Sequence, residues 1–116
     1  MNMNEAIDRL IQEIKFDYIK MCKASSDGNR VEEGSYYADQ IANFEKKVTV
    51  MAGKKYIKII RDNGVWGFIV NTEEDKKFKY GDILRAAGWS APARNAPRGN
   101  VFDNEYNIRW TGPEYL

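Results

Sequence analysis

A chain of 116 residues, 43% hydrophobic, 13% aromatic and 30% charged, has the size and composition of one domain with a single core. Its formal charge of +1 gives no overall attraction to polyanions, and with no histidine and one cysteine, Cys22, it lacks an intrachain disulfide framework and the ligands of a zinc, iron or copper site. The missing histidine also removes the commonest general base near neutral pH, so the chain reads as a binding protein with no cofactor rather than as an enzyme.

No apolar run approaches the roughly 18 residues of a membrane span. Met1-Asn2-Met3-Asn4-Glu5 lacks the basic-then-apolar pattern of a leader, so a cytoplasmic protein with no membrane partner is expected. Ile7, Leu10, Ile11, Ile14, Tyr18 and Met21 fall on one helical face and predict a helix from about Asn4 to Ala24. Asn4 is its expected N-cap, Glu5 and Asp8 favour the positive dipole end, and Ser25-Ser26-Asp27-Gly28 supplies the stop. Cys22 lies on this helix as a small core residue. Tyr37, Ile41, Phe44, Val48 and Met51 alternate steps of four and three and predict a second helix with a narrow apolar stripe. Its start is either Asn29, with Glu32 as a capping box, or Gly34-Ser35; Lys46 and Lys47 sit near its end and Gly53 caps it.

The period then changes. Lys54 to Arg61 and Val65 to Val70 are β-branched and aromatic runs flanking Asp62-Asn63-Gly64, which predicts a hairpin with Asn63-Gly64 as a two-residue turn. Strict alternation places Trp66, Phe68 and Val70 on one face and Val65, Gly67 and Ile69 on the other. Residues 72–77 read as a solvated connection, Gly81-Asp82 as a turn, and Ile83-Leu84 as a short buried piece. Tyr106 to Trp110 is a candidate last strand, with Tyr106, Ile108 and Trp110 on one side. The expected fold is α+β: two N-terminal helices (residues 1–52) packed on a C-terminal antiparallel sheet (54–112), as a single domain.

Charge is unevenly spread along this order. Residues 1–45 hold nine acids and five bases, Lys46 to Arg61 six bases and no acid, and Arg85 to Asn100 three arginines and no acid. The first basic run serves a helix end, a turn and a solvated face, so stable binding of polymeric nucleic acid is not expected. Residues 86–100 are different: a long connection rich in Ala, Gly and Pro with little to build a core, the kind of segment that carries binding. Small residues such as Gly99 let backbone N–H groups approach a phosphate, Arg94 and Arg98 can donate charge-assisted hydrogen bonds, Ser90, Asn95 and Asn100 can read polar edges, and Trp89 offers a stacking face. Arg109, on the final strand, is expected toward the same end of the sheet. The bland alternative is a stiff surface loop with Trp89 as a core anchor.

In Lys55-Tyr56-Ile57-Lys58-Ile59, the run Gly81-Asp82-Ile83-Leu84-Arg85-Ala86-Ala87-Gly88-Trp89-Ser90-Ala91-Pro92-Ala93, Arg98-Gly99-Asn100 and Arg109-Trp110-Thr111-Gly112, the chain resembles a family of small phage and prophage proteins that includes the anti-Thoeris sponges. The resemblance covers roughly residues 54–112. It implies a symmetric homo-oligomer that sequesters a cyclic ADP-ribose-type immune signal without cleaving it, with a pocket shared between subunits. The unburied stripe on the second helix would suit such assembly. Two other readings stand beside it: a protein-interaction inhibitor of a host enzyme acting through Trp89, and a basic nucleic-acid-binding module.

Overall fold

Helix α1 spans Met3–Ser25 in the computed structural model, which describes residues 1–25, 39 and 41–113. Its cap is two residues earlier than expected: Asn2 Oδ1 accepts the Glu5 N–H at 2.9 Å and Glu5 Oε1 faces the Asn2 N–H at 3.4 Å. This is a reciprocal capping box, for which Asn2-x-x-Glu5 has the right spacing and Asn4 does not. The apolar face buries as the periodicity requires, with Ala6, Ile7, Leu10, Ile14, Tyr18 and Cys22 all inside the main core.

The predicted second helix is overturned at its C-terminal end. Asp39, Ile41 and Ala42 are helical, but Glu45–Lys47 forms a 3-10 turn and strand β1 (Val48–Ala52) follows at once. Val48-Thr49-Val50 is a β-branched run, stiff at χ1, and its strand preference wins over the coincidental heptad spacing. The apolar stripe therefore breaks: Phe44 is buried, whereas Met51 is 55% exposed. The expected starts at Asn29 or Gly34-Ser35, Tyr37 in the stripe, and the stop residues Ser26-Asp27-Gly28 lie outside the described residues. Among the described residues the fold is thus α+β with one named helix, and its β part starts at Val48 rather than at residue 54.

Strands β2 (Tyr56–Arg61), β3 (Gly64–Val70) and β4 (Ile83–Leu84) complete a four-stranded antiparallel sheet in the order β1-β2-β3-β4. The β2–β3 turn is Asp62-Asn63 between the Arg61↔Gly64 pair, one residue earlier than predicted, and Asp62 takes φ 55°. A bulge causes further change: Ile59 pairs with Gly67 but Ile60 pairs with Val65, leaving Trp66 as the extra residue. Trp66 therefore turns away from Phe68 and Val70 and joins Ile57, Ile59, Ile69 and Ile83 on the face covered by α1. Its indole Nε1–H donates to the Arg109 carbonyl at 2.9 Å.

The last predicted strand is a separate hairpin, β5 (Ile108–Arg109) with β6 (Gly112–Pro113), not a member of the main sheet. It packs with α1 on the same face, where Tyr106, Ile108 and Trp110, expected on one side of a strand, pack half-buried against the core. Arg61 was expected to face water. Instead its guanidinium lies 5.1 Å from the ring centroids of Tyr18 and Phe44 and 5.0 Å from that of Trp110, clasping helix, 3-10 turn and hairpin together. The opposite sheet face carries a second buried cluster of Phe68, Val70, Leu84 and Phe78, against which the half-buried Tyr56, Val65 and Ala86 pack.

Candidate ligand-binding site

This second face is organised by strand register. Met51, Lys58, Phe68 and Leu84 are successive cross-strand partners and form one row across β1 to β4. The β1–β2 connection is short: Gly53 N–H donates to the Tyr56 carbonyl at 2.8 Å, leaving Lys54 and Lys55 exposed at its tip beside Tyr56. Two adjoining depressions open here, sharing Lys55 and Tyr56. The larger, about 640 Å³, is lined by Lys54, Lys55, Tyr56, Thr72, Glu74, Asp75, Lys76 and Arg94. The smaller, about 330 Å³, has Met51, Phe68, Lys58 and Ser90 in its walls and no acid. Both volumes fall in the usual range for small-molecule sites, although both depressions are open, the smaller one shallow.

The segment 86–100 reaches this cleft as a braced excursion, not a structureless loop. Ala86 bridges Pro92, the N–H groups of Ala87 and Gly88 donate to the Ala91 carbonyl, and Ala93 N–H donates to Arg85 at 2.7 Å. This fold-back holds Trp89 at its tip, 56% exposed, so Trp89 is not a core anchor. The Lys58 ammonium lies 4.0 Å from the indole centroid.

Arg94 ties the excursion to the 72–78 connection. Its Nη1 donates to Asp75 Oδ2 at 2.9 Å and to the Tyr56 hydroxyl, its Nη2 donates to Asp75 Oδ1 at 3.0 Å, and its guanidinium stacks 4.9 Å over Phe78. Asp75 also accepts the N–H groups of Lys77 and Phe78, so the connection read as merely solvated contains a hub. Arg94, then these backbone donors, hold the Asp75 carboxyl well below its ordinary pKa, while Asp75 and then Tyr56 raise that of Arg94. A carboxylate whose folded pKa is depressed stabilises the fold above its unfolded value, about 4, and loses that contribution as pH falls below it. Asp75→Asn is accordingly expected to lower the melting temperature at neutral pH. In thermal scans at descending pH, the gap from the wild type is expected to shrink below about pH 4.

The other expected site residues are placed elsewhere. Arg98 is buried, with Nη1 donating to Asn95 Oδ1 at 2.8 Å and the Ala96 carbonyl at 2.6 Å, and burial followed by the charge of Arg85 lowers its pKa. Asn100 Nδ2 donates to the Tyr80 carbonyl and Asp82 Oδ1, and its own Oδ1 accepts Phe102 N–H. Gly99 packs against Tyr106. These four build the framework below the loop. Arg109 lies in the helix-side layer with Trp66, not beside Arg94, because its hairpin packs on the other sheet face. Of the expected residues, Ser90 and Arg94 line the Tyr56 cleft, and Trp89 stands beside it against Lys58.

A second groove, about 580 Å³, runs between α1 and residues 98–108 and includes Arg98 and Gly99. Its charged lining is Glu13, Asp17 and Glu105 against Lys20 and Arg98, a net negative set unsuited to a pyrophosphate. The Tyr56 cleft has the opposite balance: Arg94 and Asp75 cancel as an ion pair, which leaves Lys54, Lys55, Lys58 and Lys76 against Glu74. Sequence reasoning missed Lys76 and Asp75, and it set aside the basic run around Tyr56, with Lys54 and Lys55 as a turn and Lys58 as part of a solvated face. The acid-free run from Lys46 to Arg61 was the available signal. No family model, curated protein or solved structure matches this chain. No helix among the described residues is long and apolar enough to cross a membrane, and no cluster of metal-ligating side chains occurs among them.

Proposed function

We propose that the protein is a non-catalytic sponge that binds and sequesters a cyclic ADP-ribose-type signalling nucleotide in the Tyr56 cleft, acting as a phage anti-defence protein in the host cytoplasm. The carrying observation is the meeting of two acid-free segments, residues 46–61 and 85–100, around one cleft of suitable size. The larger depression offers ammonium groups for a pyrophosphate and the Thr72 and Tyr56 hydroxyls for riboses, while the smaller offers an apolar floor for a base. Tight binding without turnover needs no general base, which is consistent with a chain that has no histidine. The homo-oligomer implied by the resemblance is part of this reading, and the outer edge of β1, with Val50 41% and Met51 55% exposed, is the surface on which a second copy would act.

Sequestration predicts that cyclic ADP-ribose incubated with the protein is recovered intact by chromatography after heat denaturation. Recovery of a ring-opened product would instead make the protein an enzyme. The exposed Trp89 and Met51 also favour a second reading, inhibition of a host enzyme by direct contact, which predicts a stable complex with that enzyme and no nucleotide binding. A basic nucleic-acid module would show steeply salt-dependent binding to oligonucleotides.

A further inference from the structure

The two depressions differ in chemistry in a way that orients a ligand. The larger has four bases and two acids; the smaller has a floor of exposed Met51 beside the buried Phe68, Lys55 and Lys58 as its charges, and Ser90 on its wall. Lys58 stands between this floor and Trp89, because its stem lies in the Met51–Lys58–Phe68 row and its ammonium lies over the indole. An exposed, braced tryptophan face is therefore covered by a side chain that belongs to the cleft wall.

We propose that the smaller depression and Trp89 together form a purine-stacking subsite, capped in the free protein by Lys58, and that the base of a bound nucleotide displaces the ammonium from the indole. This rests on the reading of the Tyr56 cleft as a nucleotide site and adds the direction of binding: base toward Trp89, phosphates toward Lys54, Lys55 and Lys76. Magnitudes favour the exchange. An exposed cation–π contact contributes about 2- to 5-fold to an equilibrium constant, whereas stacking of one base on an aromatic side chain contributes about 5- to 150-fold. The displaced ammonium is not stranded, since it swings on a flexible stem toward the phosphates and exchanges an indole face for a full negative charge. The fold-back at Ala86↔Pro92 fixes the tip, so the uncapped indole is held ready for stacking.

The test combines calorimetry with tryptophan emission on the full chain, using cyclic ADP-ribose and adenosine as probes. Cyclic ADP-ribose is expected to quench the wild type, and Trp89→Phe is expected to remove the quench, since Trp66 is buried and Trp110 lies in the helix-side layer. Trp89→Ala is expected to raise the Kd for cyclic ADP-ribose on the order of 10-fold. Lys58→Met, which keeps the stem and removes the charge, is expected to weaken cyclic ADP-ribose binding but to strengthen adenosine binding by about 2- to 5-fold. Cyclic ADP-ribose binding with an unchanged Kd in Trp89→Ala and no Trp89-dependent quench would overturn the stacking subsite and leave the cleft reading standing. No binding to the wild type would overturn both.

Discussion

Changing Lys54 and Lys55 together to glutamate is expected to weaken cyclic ADP-ribose binding by about 100-fold or more while leaving the fold intact. Both side chains are exposed at the tip of the β1–β2 connection, and neither takes part in an ion pair among the described residues. Substitutions at such positions change stability by about 0.5 kcal/mol or less. In the cleft they face the larger depression, where each ammonium can make a charge-assisted hydrogen bond worth about 1.5–3 kcal/mol. Two such bonds amount to about 3–6 kcal/mol, and solvent screening favours the lower end, which is still about 100-fold. Reversal adds repulsion to the loss. Calorimetry on the double variant, with circular dichroism as the folding control, measures this, and an unchanged Kd would move the anion site away from Tyr56.

Gly99→Ala is expected to lower stability by about 3–5 kcal/mol, from strain of about 1–3 kcal/mol at a rare backbone conformation together with overpacking of similar size. Gly99 has φ +133°, and a Cβ there would lie 2.4 Å from Tyr106 Cβ and 2.9 Å from its Cα. These atoms belong to the chain's own backbone and its root, so no rotamer change relieves the clash. The surrounding ladder cannot shift either: Ile83 N–H donates to Gly99, Arg98 N–H to Ile83, and Asn107 N–H to Arg98. Against the usual 5–15 kcal/mol of a domain, the loss is large. Urea denaturation reads it directly, and a change below about 1 kcal/mol would show that this contact between the 98–100 and 106–107 segments is not rigid. Gly88, by contrast, has open space around it, so the glycine with room for a ligand is the one near Trp89.

Local periodicity was enough to read α1, because its apolar face is a direct consequence of 3.6 residues per turn. It was not enough at Val48 to Met51, where a heptad spacing and a β-branched run coincide and pairing with β2 decides between them. Nor did the sequence reveal the bulge, since Val65 to Val70 alternates well on paper and only the pairing of Ile60 with Val65 sends Trp66 to the other face. The segment 86–100 stood out by its composition, yet that composition mixed two jobs. Ser90 and Arg94 reach the cleft and Trp89 stands at its rim against Lys58, while Asn95, Arg98, Gly99 and Asn100 hold the loop up through bonds to Ala96, Asp82 and Tyr80 and through contact with Tyr106. The residues that complete the cleft come from 51–58 and 72–76, and each has a sufficient local explanation as a turn, a strand or a solvated acid. Their convergence on Tyr56 is a property of strand register and of the Arg94–Asp75 clamp.

The chain of 13.4 kDa, with deuteration for the homo-oligomer proposed above, is accessible to amide-resolved nuclear magnetic resonance. A titration of the labelled protein with cyclic ADP-ribose tests the central claim most directly. Chemical-shift changes are expected to cluster on residues 51–58, 72–76 and 88–94, which line the Tyr56 cleft and the Trp89 tip. Changes confined to residues 13–20 and 98–108, or none at all, would contradict it.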